Sequence, residues 1–465
     1  MNSPLSLLAA RRMRRMRNWI FVPSLMFVLS SALEKPAGAQ TFTMDARMVG
    51  MGGANRSNVA ASLSEDSKSY RSIGLPLGLL QLYRHRKEFD PSDRANFNPL
   101  RLVEDLSNPM HFTFGRESES QGDKIVKDLV NGNLSRNLLD YKGYTPKSPL
   151  SAHGLYAPTF GKTIRLGKVG NFSHGVYLGA GPYLTAGTNV SYDQALLNAW
   201  SGASSAIPAD SSLLIHDNSS AQAALQVLGG YQARIQAPKI LKSDNPSSRD
   251  GIYVAVNYRY FHGFHYDADV IDARFDTDSS GLIALGIPAT SPVIIDRVSS
   301  NSGKGRAIDL GTTVVTGRWE FEFGADGLGN QITWSDLTHE QIVLSELFGG
   351  LSFDKTTLAS PSAHAIVKLP VQFSAGTVYH AQKWTVQGHY ARRLNGPEYH
   401  AGAEYRLGPL AFRGGGRYSN DIFNPTGGVG MNLTSHFGVD AAVFSNSANA
   451  QQDRRLSAAL SLRFQ

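Results

Sequence analysis

The feature that most constrains the fold is a two-residue alternation of apolar and polar side chains through the last third of the chain. In the segment 382–391, Trp384, Val386 and Tyr390 alternate with polar residues such as Gln387. Because successive side chains of a β-strand point to opposite faces, this pattern predicts strands with one apolar face. The pattern is repeated at 398–407, 410–419, 429–434, 437–443 and 456–464. Most of these segments have about 9–11 residues, the length that a tilted strand needs to cross a bilayer.

A noisier form of the same alternation occurs earlier in the chain. Ile252, Val254 and Val256 alternate with Ala255 and Asn257. Further candidate strands lie near 75–86, 152–166, 173–188, 221–237, 306–323 and 364–379. We therefore predict an all-β fold, a transmembrane antiparallel β-barrel of about 12 to 16 strands with about fourteen as the central expectation. A soluble β-protein is the alternative, but its strands usually have only about 5 or 6 residues.

Composition agrees with strands that expose apolar side chains on one face only. The chain has 465 residues, of which 42% are hydrophobic and 18% are charged, and it contains 46 glycines. Its mean hydropathy is −0.22. A helical membrane protein needs runs of about 20 apolar residues, whereas a barrel strand needs only every second residue to be apolar. The composition therefore favours a barrel over a helical bundle in the membrane.

The N-terminal residues have the pattern of a secretory signal peptide. Five arginines between Arg11 and Arg17 precede an apolar run from Trp19 to Leu33, and small residues follow up to Ala39. We interpret 1–39 as a signal peptide that is cleaved near Ala39. Six basic residues and one acid within 1–39 account for most of the net charge of +7. The remainder is too weakly basic to predict a nucleic-acid partner.

Long polar segments separate several of the candidate strands. They cover 87–110, 118–150, 189–220, 268–304 and 326–362. Long connections on one side and short turns on the other are typical of outer-membrane barrels, with the long loops outside the cell. Within the second segment, Lys124 to Asp140 has leucines at helical spacing, which predicts a helix packed in a loop.

The search for catalytic and metal-binding motifs yields no positive match. The absence of cysteine excludes disulfides, cysteine zinc sites and thiol nucleophiles. Residues 276–281 begin like a calcium loop, but the twelfth position is Ile287 instead of glutamate, so we interpret the stretch as a solvated loop and leave calcium binding open. In a regular strand, His262 and His265 would point to opposite faces. We expect no enzymatic activity, no cofactor and no metal site.

The sequence that follows the signal peptide resembles a known family. Residues 44–54 read Met-Asp-Ala-Arg-Met-Val-Gly-Met-Gly-Gly-Ala. This motif is similar to the opening of FadL-like outer-membrane proteins, a group that includes long-chain fatty-acid transporters, TraF-like conjugation-associated proteins and PorV-like barrels. Segments 402–406 and 460–464 also resemble that group. The resemblance implies a fourteen-stranded barrel, residues 75–465, with an N-terminal plug segment, residues 40–74, in its lumen.

The resemblance also implies which residues form the plug and which line the lumen. Asp45, Arg47, Gly52 and Gly53 would belong to the plug. The candidates for lumen-facing partners are Asn257, Arg259, Glu404, Arg406, Arg413 and Arg417. The plug's Asp45 and Arg47 would pair with charges among these residues.

The expected function follows from the family, and three possibilities stay open. The first is a bacterial outer-membrane barrel for uptake or binding of a small, hydrophobic molecule. The second is a non-transporting assembly or scaffold barrel of the TraF-like or PorV-like kind, and the third is a barrel enzyme with a Ser or Asp beside a His on the inner wall. The expected partners are outer-membrane lipid, a small hydrophobic ligand and the outer-membrane insertion machinery, because the last strand ends on an aromatic residue.

Overall fold

The described part of the chain is built almost entirely of antiparallel strands, which confirms the all-β prediction. The structure of the protein is a computed structural model. It describes residues 45–53, 71–75, 77–89, 112–114, 150–157, 159–195, 198, 208–236, 249–277, 279–280, 293–344, 353–359, 362–394, 396–419, 422–445 and 456–464. The predicted signal peptide, its cleavage site and the helix expected at 124–140 lie outside these residues.

Twenty strands within the described residues form one sheet. They are β1 (Arg71–Gly74), β2 (Phe112–Phe114), β3 (Leu150–Tyr156), β4 (Phe160–Val169), β5 (Phe172–Tyr192), β6 (Ser212–Gln236), β7 (Gly251–Asp276), β8 (Val293–Ser300), β9 (Ser302–Thr316), β10 (Trp319–Ser335), β11 (Thr338–Leu344), β12 (Phe353–Leu358), β13 (Ala365–Lys368), β14 (Gln372–His380), β15 (Trp384–Arg393), β16 (Gly396–Leu407), β17 (Leu410–Ser419), β18 (Ile422–Asn432), β19 (Phe437–Ser445) and β20 (Leu456–Phe464). The described residues also contain helices α1 (Ala46–Gly50) and α2 (Gly78–Arg84) and a 3-10 turn (Arg86–Phe89). None of these helices has the length and hydrophobicity that a membrane span requires.

The lateral order of the sheet follows the chain with few exceptions. β1 and β2 pair with successive parts of β20, and β3 and β4 pair with successive parts of β5. Between these edges the order is β20, β19, β18, β17, β16, β15, β14, β10, β9, β7, β6, β5. Counting each split edge once, and leaving out β8 and β11 to β13, gives fourteen lateral positions among the described strands. No pairing among the described residues joins the two edges, so closure into a barrel stays a prediction.

One face of the sheet is apolar and exposed. Its side chains include Trp384, Tyr399, Phe412, Val429 and Phe464, each between 39% and 52% exposed. Aromatic rings pair across neighbouring strands on this face, with centroids 4.6 Å apart for Trp384 and Tyr405 and 5.3 Å apart for Tyr390 and Tyr399. A continuous apolar surface of this extent is unusual on a soluble monomer and is typical of the lipid-facing side of membrane strands.

Short turns connect the strands at one end of the sheet. Gly317-Arg318 joins β9 to β10, and Gly408-Pro409 joins β16 to β17. Gly317 and Gly408 both have φ of 57°, a left-handed conformation that glycine adopts without strain. β20 also finishes at this end, which we call the turn end; the opposite end is the loop end.

Four of the predicted strands are wrong. The segment 75–86 contains helix α2 instead of a strand. It has no Val, Ile or Thr, whereas its leucines, glutamine and arginines are strong helix formers, and this outweighs the apparent alternation. The segments 152–166, 306–323 and 364–379 each contain parts of two strands, and the turn at Gly317-Arg318 divides the second of them.

Much of what was interpreted as polar loop is strand. Within 268–304 and 326–362, β7 to β12 continue the sheet beyond the loop end of the neighbouring strands. These parts carry polar residues on both faces, as where Arg297 donates two hydrogen bonds of 2.7 Å to Asp269, so they lack the apolar alternation on which the prediction relied. Asp276, the first residue of the suspected calcium loop, ends β7.

The expectation that His262 and His265 face opposite ways is also wrong. A β-bulge in the pairing of β6 with β7 lies between them, so His262 pairs with Leu225 and His265 with Ala223 on the same face. His265 Nε2 lies 2.6 Å from the Asp267 carboxylate. Among the described residues there is no group of three or more His, Asp or Glu side chains suited to a metal ion.

The apolar face gives the first testable prediction. Val429→Lys places a charge near the middle of β18, so in lipid vesicles it should lower the free energy of unfolding by about 2–4 kcal/mol. The matched control, Thr357→Lys at an exposed position of β12, should change it by less than about 0.5 kcal/mol. Urea titration of both variants in vesicles measures the difference. Equal effects would show that Val429 does not contact hydrocarbon.

Candidate functional site

The N-terminal segment Asp45–Gly53 lies on the face of the sheet opposite the apolar one, which we call the inner face. Asp45 caps helix α1, because its Oδ1 accepts a 2.9 Å hydrogen bond from the Arg47 backbone N–H. The Ala46 N–H donates to Ser461 Oγ at 3.2 Å. Ala46 and Val49 are buried against Ala442, Phe444 and Ala459 of β19 and β20. The segment is therefore packed on the strands near the C-terminus.

Arg47 binds the segment to a buried carboxylate of the sheet, that of Glu404. Glu404, only 1% exposed, accepts hydrogen bonds from Arg47 Nε at 2.8 Å and Arg47 Nη2 at 3.0 Å. It also accepts from Arg413 Nε and Arg406 Nε, both at 2.7 Å. We call these four residues the Glu404 cluster. The two-pronged bond from Arg47 is the strong and geometrically specific form of an arginine–carboxylate interaction.

The Glu404 cluster continues through a second buried carboxylate. Asp440, fully buried on β19, forms ion pairs in which its carboxylate lies 2.8 Å from Arg413 Nη2 and 3.4 Å from Arg463 Nε. Arg413 is also fully buried and bridges the two carboxylates. Removing one partner of a buried ion pair commonly costs about 3–5 kcal/mol, because the remaining charge stays desolvated. This network therefore connects β16, β17, β19 and β20 through their side chains.

Glycines on three adjacent strands let the backbone of the segment approach the sheet closely. A Cβ built on Gly402 would lie 2.7 Å from the Met51 Cα and closer still to the Met51 carbonyl group. One on Gly415 would lie 2.8 Å from the Gly52 nitrogen. Gly428 on β18 is in close contact with Gly50 of the segment. Any larger residue at Gly402 or Gly415 would push the segment away, and we call these three glycines of the sheet the glycine seat.

The end of the segment is fixed through its backbone carbonyl groups. Gln387 Nε2 donates to the Met51 carbonyl at 3.0 Å, and His400 Nδ1 donates to the Gly52 carbonyl at 2.7 Å. Thr426 Oγ1 donates to the Gly50 carbonyl at 3.2 Å and accepts from the Gly52 N–H at 3.0 Å.

The two plug glycines themselves have left-handed backbones. Gly52 has φ of 97° and Gly53 has φ of 73°, conformations that other residues adopt only with strain. A side chain at Gly52 would also meet the Ala401 carbonyl oxygen at 2.7 Å, whereas Gly53 has open space around it. The pair of glycines in the sequence motif is thus required by the turn that ends the segment.

A separate polar network lies on the inner face of β6, β7 and β9. Arg259 Nε donates to Asp309 Oδ2 at 2.5 Å, and the other oxygen of Asp309 accepts from the Gly327 N–H at 2.9 Å. Asn257, one of the predicted lumen residues, pairs with Asp309 in the strand register and is 9% exposed. Arg259 is therefore bound by its own strand neighbours and is not a partner of Asp45 or Arg47.

An aromatic cluster covers the inner face nearer the loop end. Tyr266 stacks on Trp334 with ring centroids 5.4 Å apart, and the Tyr183 and Phe261 rings lie 4.5 Å apart. Trp334 is fully buried, and its indole N–H donates to Gln222. We call Tyr183, Phe261, Tyr266 and Trp334 the aromatic cluster. It forms a buried apolar core on an otherwise polar face.

The structure brings together only some of the predicted residues. Arg47, Glu404, Arg406 and Arg413 form one cluster, with Asp45 beside it, while Arg417 lies on the inner face opposite His400 in the register. Asp45 accepts a 3.4 Å hydrogen bond from Ser461 Oγ.

Sequence reasoning missed Asp440, Arg463, His400, Thr426 and the glycine seat as parts of the site. Asp440 and His400 occupy alternate positions to apolar residues of β19 and β16, so strand parity alone would have placed them on the inner face. The role of the glycines had no such signal.

Comparisons with known proteins give distant structural matches only. No family model matches the chain, and no curated protein matches it. Among solved structures, it is similar to the toluene transporter TbuX of Ralstonia pickettii, with 14% identity and a TM-score of 0.33 over 68% of this chain and 88% of that chain. The TodX deltaS2S3 mutant monoaromatic hydrocarbon channel matches with 12% identity and a TM-score of 0.33 over 66% and 86%.

A porin also matches, with a lower score. A mutant of Rh. blastica porin has 10% identity and a TM-score of 0.20 over 52% of this chain and 91% of that chain. The hydrocarbon channels belong to the FadL family. Identities and TM-scores this low carry no inference about substrate, which has to be argued from the residues of this chain.

The glycine seat gives a test of how the segment is held. Gly402→Val should displace Asp45–Gly53, because the new side chain overlaps Met51, while valine suits the strand itself. Overpacking of this kind costs about 1–3 kcal/mol, so amide exchange in residues 46–53 should become roughly ten- to a hundredfold faster. Gly414→Val is the matched control, since a Cβ there meets nothing within 4 Å. Equal exchange in the two variants would contradict the seat.

Proposed function

We propose that this protein is a bacterial outer-membrane β-barrel that takes up or binds a small hydrophobic molecule and whose N-terminal segment obstructs the inner passage. The observation that carries the proposal is the fixing of Asp45–Gly53 on the polar inner face by the Glu404 cluster and the glycine seat. A surface segment would not need two buried carboxylates and a row of glycines beneath it. A segment that fills an interior space does.

The membrane location is supported by the two-faced strands. β14 to β20 each have 9–12 residues and expose apolar and aromatic side chains on one face only. That length matches a tilted strand that crosses the hydrocarbon layer. By the usual arrangement of such barrels, the turn end would face the periplasm and the loop end the outside.

The class of ligand is inferred from the aromatic cluster. Small-molecule sites are lined mainly by apolar and aromatic side chains, with a few polar groups that set orientation. Tyr183, Phe261, Tyr266 and Trp334 form a buried apolar core on the inner face, with Gln222 and Asn330 hydrogen-bonded to Trp334 and Tyr183. The partly buried side chains packed against this core, among them Leu155, Val367 and Leu369, supply the apolar lining that a ligand would contact. The cluster lies toward the loop end, so a ligand from outside would meet it before reaching the segment, which contacts the middle of β16 to β18.

The role of the segment can be tested by permeability. Deletion of residues 40–60 should raise the rate at which neutral solutes and an aromatic hydrocarbon enter proteoliposomes. Arg47→Gln should raise it less, because Arg406 and Arg413 still neutralise Glu404 while the segment loses its two-pronged bond. Arg392→Gln, at an exposed position near the loop end of β15, is the charge-matched control and should leave permeability unchanged.

The outcome also separates the transport proposal from the scaffold alternative. A barrel that stays sealed to every solute after the deletion would contradict an obstructing role and would favour a non-transporting assembly protein. Permeability that rises for solutes but not for the hydrocarbon would retain the obstructing segment and remove the hydrophobic ligand.

A further inference from the structure

A small cavity opens at the turn end, next to the Glu404 cluster but outside it. Its volume is about 70 Å³, and its lining includes Arg406, Asn432, Arg463 and the turn Gly408-Pro409. Two guanidinium groups and an amide around one small cavity form an unusual lining, because like charges are placed together only where a counter-charge offsets their repulsion.

Arg406 is only partly used by the Glu404 cluster. Its Nε donates to Glu404, while its side chain is 55% exposed at the edge of the sheet. Within the part of the chain that the structure describes, the two terminal nitrogens of Arg406 donate no hydrogen bond. A guanidinium group carries five N–H donors, so four of them remain for a ligand at the cavity.

Arg463 reaches the cavity across a glycine. A Cβ on Gly438 would lie 2.6 Å from Arg463 Nη2, so a larger residue at this position would displace the guanidinium from its place across β19. Arg463 Nη2 then donates to Asn432 Oδ1 at 2.5 Å. Because the amide oxygen accepts this bond, the Asn432 NH₂ group is left as a donor at the cavity.

Four arginines lie close together beside the cavity. Arg47, Arg406, Arg413 and Arg463 contact two buried carboxylates, Glu404 and Asp440, and Asp45 lies at the start of α1. Arg406 is the member of the group that is exposed at the cavity.

From these observations we propose that the cavity binds an oxyanion of phosphate or carboxylate size, held by Arg406, Arg463 and the Asn432 amide. Planar guanidinium groups bind the paired oxygens of such anions through two parallel hydrogen bonds. The inference does not depend on what crosses the barrel, since the site lies at the rim of the sheet.

The same chemistry has two possible sources. One is a soluble anion such as inorganic phosphate. The other is the phosphate of a phospholipid headgroup, because Leu407 and Leu410 flank the turn on the apolar face and are 52% and 38% exposed. In a bilayer these two leucines would bring headgroups to the level of the cavity.

The experiment uses the whole mature protein, purified in a detergent without phosphate. Equilibrium dialysis with radiolabelled inorganic phosphate measures the soluble source, and binding of spin-labelled phosphatidylglycerol in mixed micelles measures the headgroup source. Arg406→Gln should weaken binding of the true ligand roughly tenfold, as expected for loss of a charge-assisted hydrogen bond. Asn432→Ala should weaken it less.

Two further variants keep the result interpretable. Arg318→Gln removes one exposed arginine from another turn at the same end and should leave binding unchanged. Arg406→Lys keeps the charge and should give intermediate binding. Heat-modifiable electrophoretic mobility reports whether each variant has folded.

Saturable binding of either probe that is weakened by Arg406→Gln but not by Arg318→Gln would support the site and identify its source. Absence of saturable binding with both probes, or equal weakening by the two arginine variants, would overturn it.

Discussion

The constraint on which the rest depends is that a strand with hydrocarbon on one side has only its other side for polar groups. β16 to β20 place Tyr405, Phe412 and Val429 on the apolar face, so Glu404, Arg413 and Asp440 are forced onto the inner face. Buried charges persist there only with partners of opposite sign and good geometry. The N-terminal segment meets this requirement, since it brings an arginine to Glu404 and its own acid to Ser461.

The two-residue alternation predicts which face of the sheet a side chain lies on, but it does not predict the partners of that side chain. From the alternation alone, Glu404, Arg406, Arg413 and Arg417 were assigned to the inner face, where the structure has them. The partners were not predictable, because a two-residue period says which way a side chain points and nothing about which strands are neighbours. Arg259 shows the difference. It faces inward as expected, but the register of β7 with β9 gives it Asp309, far in sequence from the plug motif.

The strand predictions failed in segments where no apolar face is required. Beyond the loop end, β7 and β8 have polar side chains on both faces, with Asp269 and Arg297 paired to each other, and their sequence resembles a loop. For the segment 75–86 the error is the reverse, because a strand is predicted where the structure has helix α2. Its repeated leucines resemble the alternation of a strand, while the residue preferences favour a helix. Alternation is thus a reliable signal only for strands that have one apolar face and one polar face.

The glycine seat shows what a sequence without the structure cannot reveal. Glycine inside a strand costs about 0.5–1 kcal/mol relative to alanine, because it loses more backbone freedom on folding. Gly402 and Gly415 pair directly across β16 and β17, and Gly428 lies on the neighbouring strand β18. Each of these three glycines therefore adds its own destabilisation in one small region of the sheet. Contacts of the Met48–Gly53 backbone with that patch, including four hydrogen bonds to Gln387, His400 and Thr426, offset it. The glycine seat and Gly52 of the N-terminal segment are therefore explained by the same close approach of two backbones, whereas Gly53 has open space around it and is explained by its left-handed backbone alone.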